Sequence, residues 1–342
     1  MEILGFVKFE EMNFRTEVGL PVGQIQIGHT HRLLLLGSCF ADSIGSKLTE
    51  NKFMVDVNPY GTLYNPISIA KALAEIEKGK VYVHEDLYFY RGQWHSPMHH
   101  SVFSHEDPDV CLQRINERIL KAREWLRQLD VAFITLGSSY YYTDRESGLV
   151  VGNCHKRPDR DFIRKRMSDS DSLREVLKQI VATLTAFNPQ VQVIFTVSPI
   201  RHLRDGLHAN QVSKGLLLAA LDEDKLSELG NQVYYFPAYE ILLDELRDYR
   251  FYADDMAHPS PLAVAYIWDC FVRSYLDASA LSLLGEWQGV LRGLQHRPVR
   301  PASDDYKSFL KQLVLKIERL KEKYPNLDVQ KELEVCRIQL KA

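Results

Sequence analysis

Apolar residues along the chain fall into two alternating patterns. Uninterrupted runs at 33–36 (LLLL), 53–57 (FMVDV), 131–136 (VAFITL), 191–197 (VQVIFTV) and 232–236 (QVYYF) have the length and the β-branched and aromatic content of buried strands. Between them, at 41–50, 66–78, 110–128, 172–187 and 209–229, apolar positions recur every three or four residues, as in helices that bury one side. Pro66 stands where a helix can start without losing a hydrogen bond. Repetition of strand, helix and strand predicts an α/β fold: a doubly wound three-layer sandwich with a mainly parallel five-stranded sheet.

Two segments interrupt that scheme. Residues 81–105, rich in Tyr, Phe and Val around Arg91-Gly92-Gln93, predict a β-hairpin insertion, and VVGNCHK at 150–156 predicts a second short pair. Beyond His258 the pattern gives a helix over 261–276, then a Pro- and Gly-bearing stretch at 285–301. The tail from 303 to 342 places Phe309, Leu313, Leu315, Ile317 and Leu320 at helical spacing, with a break at Tyr324-Pro325-Asn326. This divides the chain into an α/β domain, 16–284, and a helical extension, 285–342, which packs as a hairpin on the domain or joins copies into a homo-oligomer.

Composition narrows the partners. A chain of 342 residues, 45% hydrophobic and 25% charged, is ordinary globular material. A net charge of -3 without a clustered Lys/Arg stripe argues against nucleic acid. Cys39, Cys111, Cys154, Cys270 and Cys336 lack CxxC spacing, which fits reduced thiols and a cytoplasmic location. No run approaches the roughly 18 apolar residues of a membrane span. The opening MEILGFVKFEEMNF carries acid where a signal peptide has positive charge. LLLLGSC has the outline of a lipoprotein signal, but four leucines are too short a core, so the segment reads as a strand.

In such a sheet, ligands sit where the loops leave the carboxyl ends of the strands. Those loops are GSCF, NPYGTLYNP, GSSYYY, SPIRH and DDMAHPS. Asp255 and His258 are spaced i, i+3, so the carboxylate can fix the imidazole tautomer. The bland alternative is a helix cap beside a surface histidine. Gly37 suits a strand-to-helix turn, Ser38 a helix cap and Cys39 a small buried hydrophobe. Cys39 equally suits a nucleophile whose thiolate the helix dipole favours. His95 and His99 are four apart, but Pro97 between them disfavours a helical metal pair, and no metal or cofactor is assigned.

GSCFADSIG at 37–45 resembles the motif of the GSCFA-domain family, and the likeness extends through NPYGTLYNP, TLGSSYYY, VVGNCHKRP, TVSPIRH and DELRDYRFYADDMAHPSPLA. That family is grouped with the SGNH (GDSL-like) hydrolases, α/β sandwiches that include esterases and carbohydrate O-acetyl hydrolases. The resemblance implies a nucleophile at Cys39, where the first SGNH block carries Ser after Gly-Asp, or at Ser38 from a shifted elbow. It implies Asp255 and His258 as the acid and base, with Asp254 as the fallback acid. Gly61 corresponds to the glycine that gives an oxyanion N–H. Gly137 opens the third block, whose Asn is missing, so Ser139, Asn65 or Asn153 would have to replace that donor. His155, Lys156, Arg201 and His202 have no counterpart in the pattern and read as rim contacts for an anion or a sugar. The expected activity is that of an esterase, deacetylase or O-acyltransferase on an acylated small molecule or carbohydrate. The alternative is an altered scaffold that binds a glycan or a protein.

Overall fold

The structure is a computed structural model that describes residues 15–300 and 303–341. The reading of the acidic opening segment falls on residues 1–14, outside the described residues, as do Pro301, Ala302 and Ala342.

The chain runs β1 (Arg32–Gly37), α1 (Cys39–Glu50), β2 (Met54–Val57), α2 (Pro66–Lys78), β3 (Tyr88–Tyr90), β4 (Gln93–His95), α3 (Pro108–Leu126), β5 (Val131–Leu136), β6 (Tyr140–Asp144), β7 (Val150–Val151), β8 (Phe162–Arg166), α4 (Ser170–Phe187), β9 (Gln192–Val197), α5 (Leu207–Ala220), β10 (Val233–Tyr235), α6 (Ala238–Glu240), α7 (Pro261–Tyr275), α8 (Ala278–Gln295), α9 (Asp304–Lys323) and α10 (Gln330–Lys341). The five apolar runs form one all-parallel sheet in the order β10-β9-β5-β1-β2. Side chains alternate across it: Leu33, Leu35, Phe133 and Ile194 face one layer, Leu34, Leu36, Ile134 and Phe195 the other. The first layer is completed by α1, α7 and the turns at 238–246, through Phe40, Ile44, Leu242 and Phe271. The second comes from α2 to α5, through Ile69, Ile115, Leu177 and Leu217. Burial on both faces is why these runs show no polar alternation.

The chain leaves β1 toward β2 on one side and later returns to place β5 on the other, so the winding reverses between β1 and β5. The loops after those two strands flank the crevice where such sheets bind ligands.

The insertion is the expected hairpin, β3 against β4 with Tyr88 opposite His95. The second pair is larger than expected, because β6 pairs with both β7 and β8 in a three-stranded antiparallel sheet. The helix expected to reach 229 ends at Ala220 and continues as a tighter turn over Glu223–Glu228. The stretch at 285–295, expected to be irregular, belongs to α8. Two of its glycines face α9: a Cβ on Gly293 would come within 2.8 Å of Leu313, and one on Gly289 would meet the end of Lys316. In α9 the buried stripe is Tyr306, Leu310, Leu313, Ile317 and Leu320, while Phe309 and Leu315 face solvent. With Trp287, Val290, Leu333 and Cys336 this stripe makes a separate core. No helix among the described residues is long and apolar enough to cross a membrane.

Candidate active site

The turn after β1 is built so that only glycine fits at its first position. Gly37 has φ +143°, and a Cβ there would collide with the Thr135 carbonyl on β5. Its N–H donates to Asn58 Oδ1 (2.8 Å), and its carbonyl accepts from Leu63 N (2.9 Å). The Asn58 amide in turn donates to Asp42 (2.6 Å), tying the loop after β2 to the first turn of α1. Ser38 caps α1, accepting from Phe40 N, and donates to Ser198 Oγ at 3.0 Å. It is fully buried. Cys39, the first helical residue, is half-buried and presents its thiol at the surface of the crevice.

The loop before α7 brings the partner. Asp255 Oδ1 accepts from the backbone N–H groups of Ala257 and His258, both at 2.9 Å, and Oδ2 meets His258 Nδ1 at 2.5 Å. His258 Nε2 lies 3.6 Å from Cys39 Sγ. The loop is held from both ends: Ala253 N donates to His258 O (2.8 Å), and Arg201 N to Ala257 O (3.0 Å). These bonds, the His258 backbone N–H first, hold the Asp255 carboxyl down at about 2, so it is ionised over the whole working range. Burial, and then the carboxylate of Asp42, push the Cys39 thiol up, while the N–H groups of Cys39 and Phe40 act the other way. The resting pair is therefore a thiol facing an imidazole whose tautomer Asp255 fixes. This arrangement can pass the thiol proton to Nε2 and hold the imidazolium that results.

A groove of about 910 Å³ runs along α1, lined from Asp42 onward and not by Cys39 or His258 themselves. Asp42, Ser46 and Thr49 of α1 line it together with Gly61, Thr62, Leu291 and Lys331. The C-terminal helices contribute Leu291 and Lys331 because they are docked on the end of α1. Trp287 Nε1 donates to Glu50 O (2.8 Å), Gln288 to Asn51 (2.9 Å), and Lys52 pairs with Glu332 (2.8 Å).

Residues 32–271, well over half of the chain, match the family model described as GSCFA family. The chain belongs to the GSCFA family. Residues 287–342 match a second, described as GSCFA domain protein, C-terminal domain. No curated protein matches this GSCFA chain.

The structure brings together Cys39, Asp255 and His258 of this GSCFA chain and leaves Asp254 without a contact to His258. Ser38 lies behind the elbow, bonded to Ser198. Several other expected donors are engaged within the fold. The Gly61 N–H donates to Asn58 O (2.7 Å), and the Gly137 N–H to Tyr64 O (2.8 Å). Ser139 is fully buried against Ser213 (3.0 Å). Asn65 caps α2 through its oxygen (2.8 Å to Ser68 N), leaving its NH2 as the donor end. Asn153 and His155, between β7 and β8, are tied to the insertion: Asn153 N donates to Pro97 O, and His155 Nε2 meets Ser96 O at 2.9 Å. Arg201 stacks on Tyr252, 4.0 Å from its ring centre. His202 does reach the crevice, edge-on to Tyr64 at 5.6 Å, and burial followed by the charge of Lys214 lowers it to about 4. Lys156 has its side chain exposed. Among the described residues no three His, Cys, Asp or Glu side chains converge as metal ligands.

Sequence reasoning missed the polar side of α5. Asn210, Ser213 and Lys214 are each at most 3% exposed. Asn210 accepts from His202 N (3.0 Å), Ser213 from Ser139 N (2.8 Å), and Lys214 Nζ donates to Ser198 O (2.7 Å). One helix thus ties down the loops after β5 and β9. The signal was in the sequence, since these positions share the stripe of Leu217 and Ala220, which would otherwise be wholly apolar.

Proposed function

We propose that this protein is an SGNH-type acyl hydrolase or acyltransferase that opens ester bonds through a thioester on Cys39. His258 takes the thiol proton as sulfur attacks the ester carbonyl. The carbon–oxygen bond breaks, and the leaving alkoxide receives that proton from the imidazolium. Water, or a hydroxyl of an acceptor such as a sugar, then attacks the thioester with His258 as base. The acyl group departs with that oxygen, and the proton returns to sulfur. Asp255 stays ionised and holds the imidazole throughout.

The reading rests on one observation: Sγ, Nε2, Nδ1 and the carboxylate form a continuous chain, with steps of 3.6 Å and 2.5 Å. The first turn of α1 supports it through its dipole, whose positive end lies at Cys39 and favours a developing oxyanion, although the Phe40 and Ala41 N–H groups are already taken by Ser38. The groove along α1 gives the non-reacting part of an ester a place to lie.

Intact-mass measurement after incubation with p-nitrophenyl acetate tests the proposal. An acetyl adduct that survives Ser38→Ala and vanishes in Cys39→Ala and in His258→Ala is the expected result. Folded protein that gains no adduct and releases no nitrophenol overturns it and leaves a binding scaffold as the better account.

A further inference from the structure

A lysine inside a protein is normally paired with a carboxylate. Lys214 departs from this: it is 1% exposed, and its ammonium group donates to one carbonyl, Ser198 O, at 2.7 Å. It makes no ion pair with a carboxylate among the described residues, and the Tyr239 ring centre lies 5.7 Å away. Above it lies the elbow, since Ser198 Oγ accepts from Ser38 Oγ and Ser38 precedes Cys39. The fold therefore buries an amine behind the elbow that presents the thiol, linked to it through Ser198 and Ser38, at a site where an apolar side chain would be cheaper to bury.

We propose that Lys214 is a positioning residue that controls the reactivity of Cys39, holding the Ser198–Ser38 shelf from below and supplying the positive charge that a thiolate on Cys39 needs. The inference takes from the preceding section only that Cys39 is the attacking atom.

The charges around the pair can be enumerated. Asp42 on α1 opposes the thiolate. His258 and Asp255 face the thiol from the loop before α7, and Tyr64 and His202 lie across the crevice. Lys214 is the cation whose field favours the thiolate, and Cys39 is the charge whose field acts back on Lys214. Burial lowers the lysine to about 7. Ionising the thiol stabilises the ammonium, so the two charges form together and titrate as a pair.

Alkylation by iodoacetamide, followed at the Cys39 peptide by mass spectrometry from about pH 5 to about pH 10, reads the thiolate without requiring ester turnover. Cys154, half-buried between β7 and β8, is the internal control. In Lys214→Met and in Lys214→Gln, which keeps a donor for Ser198 O, the Cys39 midpoint moves alkaline by about one pH unit and the rate at neutral pH falls about tenfold. Lys214→Arg and Ser198→Ala, both of which retain the cation, keep the wild-type midpoint, and Cys154 is unchanged throughout. The inference is overturned if the Met and Gln profiles superimpose on the wild type. It is equally overturned if Ser198→Ala moves the midpoint as far as they do, or if Cys154 shifts in parallel. A moved profile without ester turnover would sink the proposed function and leave this inference standing. Turnover with an unmoved profile would do the reverse.

Discussion

Asn58 ties the loop after β2 to the elbow and to α1, and removing it gives a worked test of the geometry. It is 8% exposed, sits at φ +42°, accepts from Gly37 N and donates to Asp42. Asn58→Gly leaves the Gly37 N–H buried without an acceptor, at about 1–3 kcal/mol, and removes a charge-assisted bond to Asp42 of about 1 kcal/mol at this half-open position. Glycine accepts the positive φ, so the expected total is about 2–4 kcal/mol. Asn58→Ala loses the same bonds and adds about 1 kcal/mol of left-handed strain. Urea unfolding of the three proteins at neutral pH, with m checked for constancy, should therefore order them wild type, Gly, Ala. The Gly37 anchor also goes, so Cys39 alkylation by iodoacetamide should change in both variants. A glycine variant within about 0.5 kcal/mol of wild type would show that the amide bridge contributes nothing to the fold. Equal losses for Gly and Ala would refute the strain.

Other perturbations read other parts of the molecule. Asp255→Asn keeps the shape of the loop but permits the wrong imidazole tautomer, so turnover of p-nitrophenyl acetate should fall by about 10³–10⁴ with KM little changed. An unchanged kcat would exclude the carboxylate from the mechanism. Trp287→Ala empties a fully buried site between α8 and the end of α1 and should cost about 3–5 kcal/mol. Limited proteolysis should then remove α9 and α10 first, and resistance equal to wild type would contradict the docking. His99 and His155, lowered by burial to about 3 and about 4, stay neutral in the fold while an unfolded histidine charges below about 6.5. Their contribution is therefore complete above pH 6.5 and is lost as the pH falls toward 4, at about 1.4 kcal/mol per pH unit for each group. His99→Phe, between the Tyr60 and Tyr82 rings, should flatten the urea midpoint against pH in that window; an unaltered slope would refute the assignment. Ser46→Trp should block the groove on α1, slowing a bulky ester while sparing p-nitrophenyl acetate.

The sheet was legible because strands buried on both faces must be apolar throughout, and Leu33 to Leu36 or Val131 to Leu136 have few other readings. The strand FIRKR was not legible: β8 exposes four of its five residues, and its partner is the backbone of β6 rather than a core. Gly285, Gly289 and Gly293 read as a break because glycine weakens an isolated helix, whereas here packing against α9 at Gly289 and Gly293 keeps the helix. At the site, Asp255 and His258 were readable since three residues of chain fix their relation. Cys39 was readable because a glycine at a strand end forces the turn. Gly61 and Gly137 kept their positions at the loops, but sequence alone does not show that Asn58 O and Tyr64 O take their N–H groups. Lys214 was invisible for a different reason. A lysine in mid-helix is presumed to face water, and only its alignment with Leu217 and Ala220 argues otherwise.

Cys39 and His258 stand 219 residues apart, and the strands between them join the sheet in chain order after β1 and β2. On a ribosome adding about 5–20 residues per second, the sulfur would emerge tens of seconds ahead of its base. During that interval the nascent chain carries a thiol with no imidazole beside it. The contact between Cys39 and His258 is thus among the last to close, and its formation reports that the whole parallel sheet has assembled.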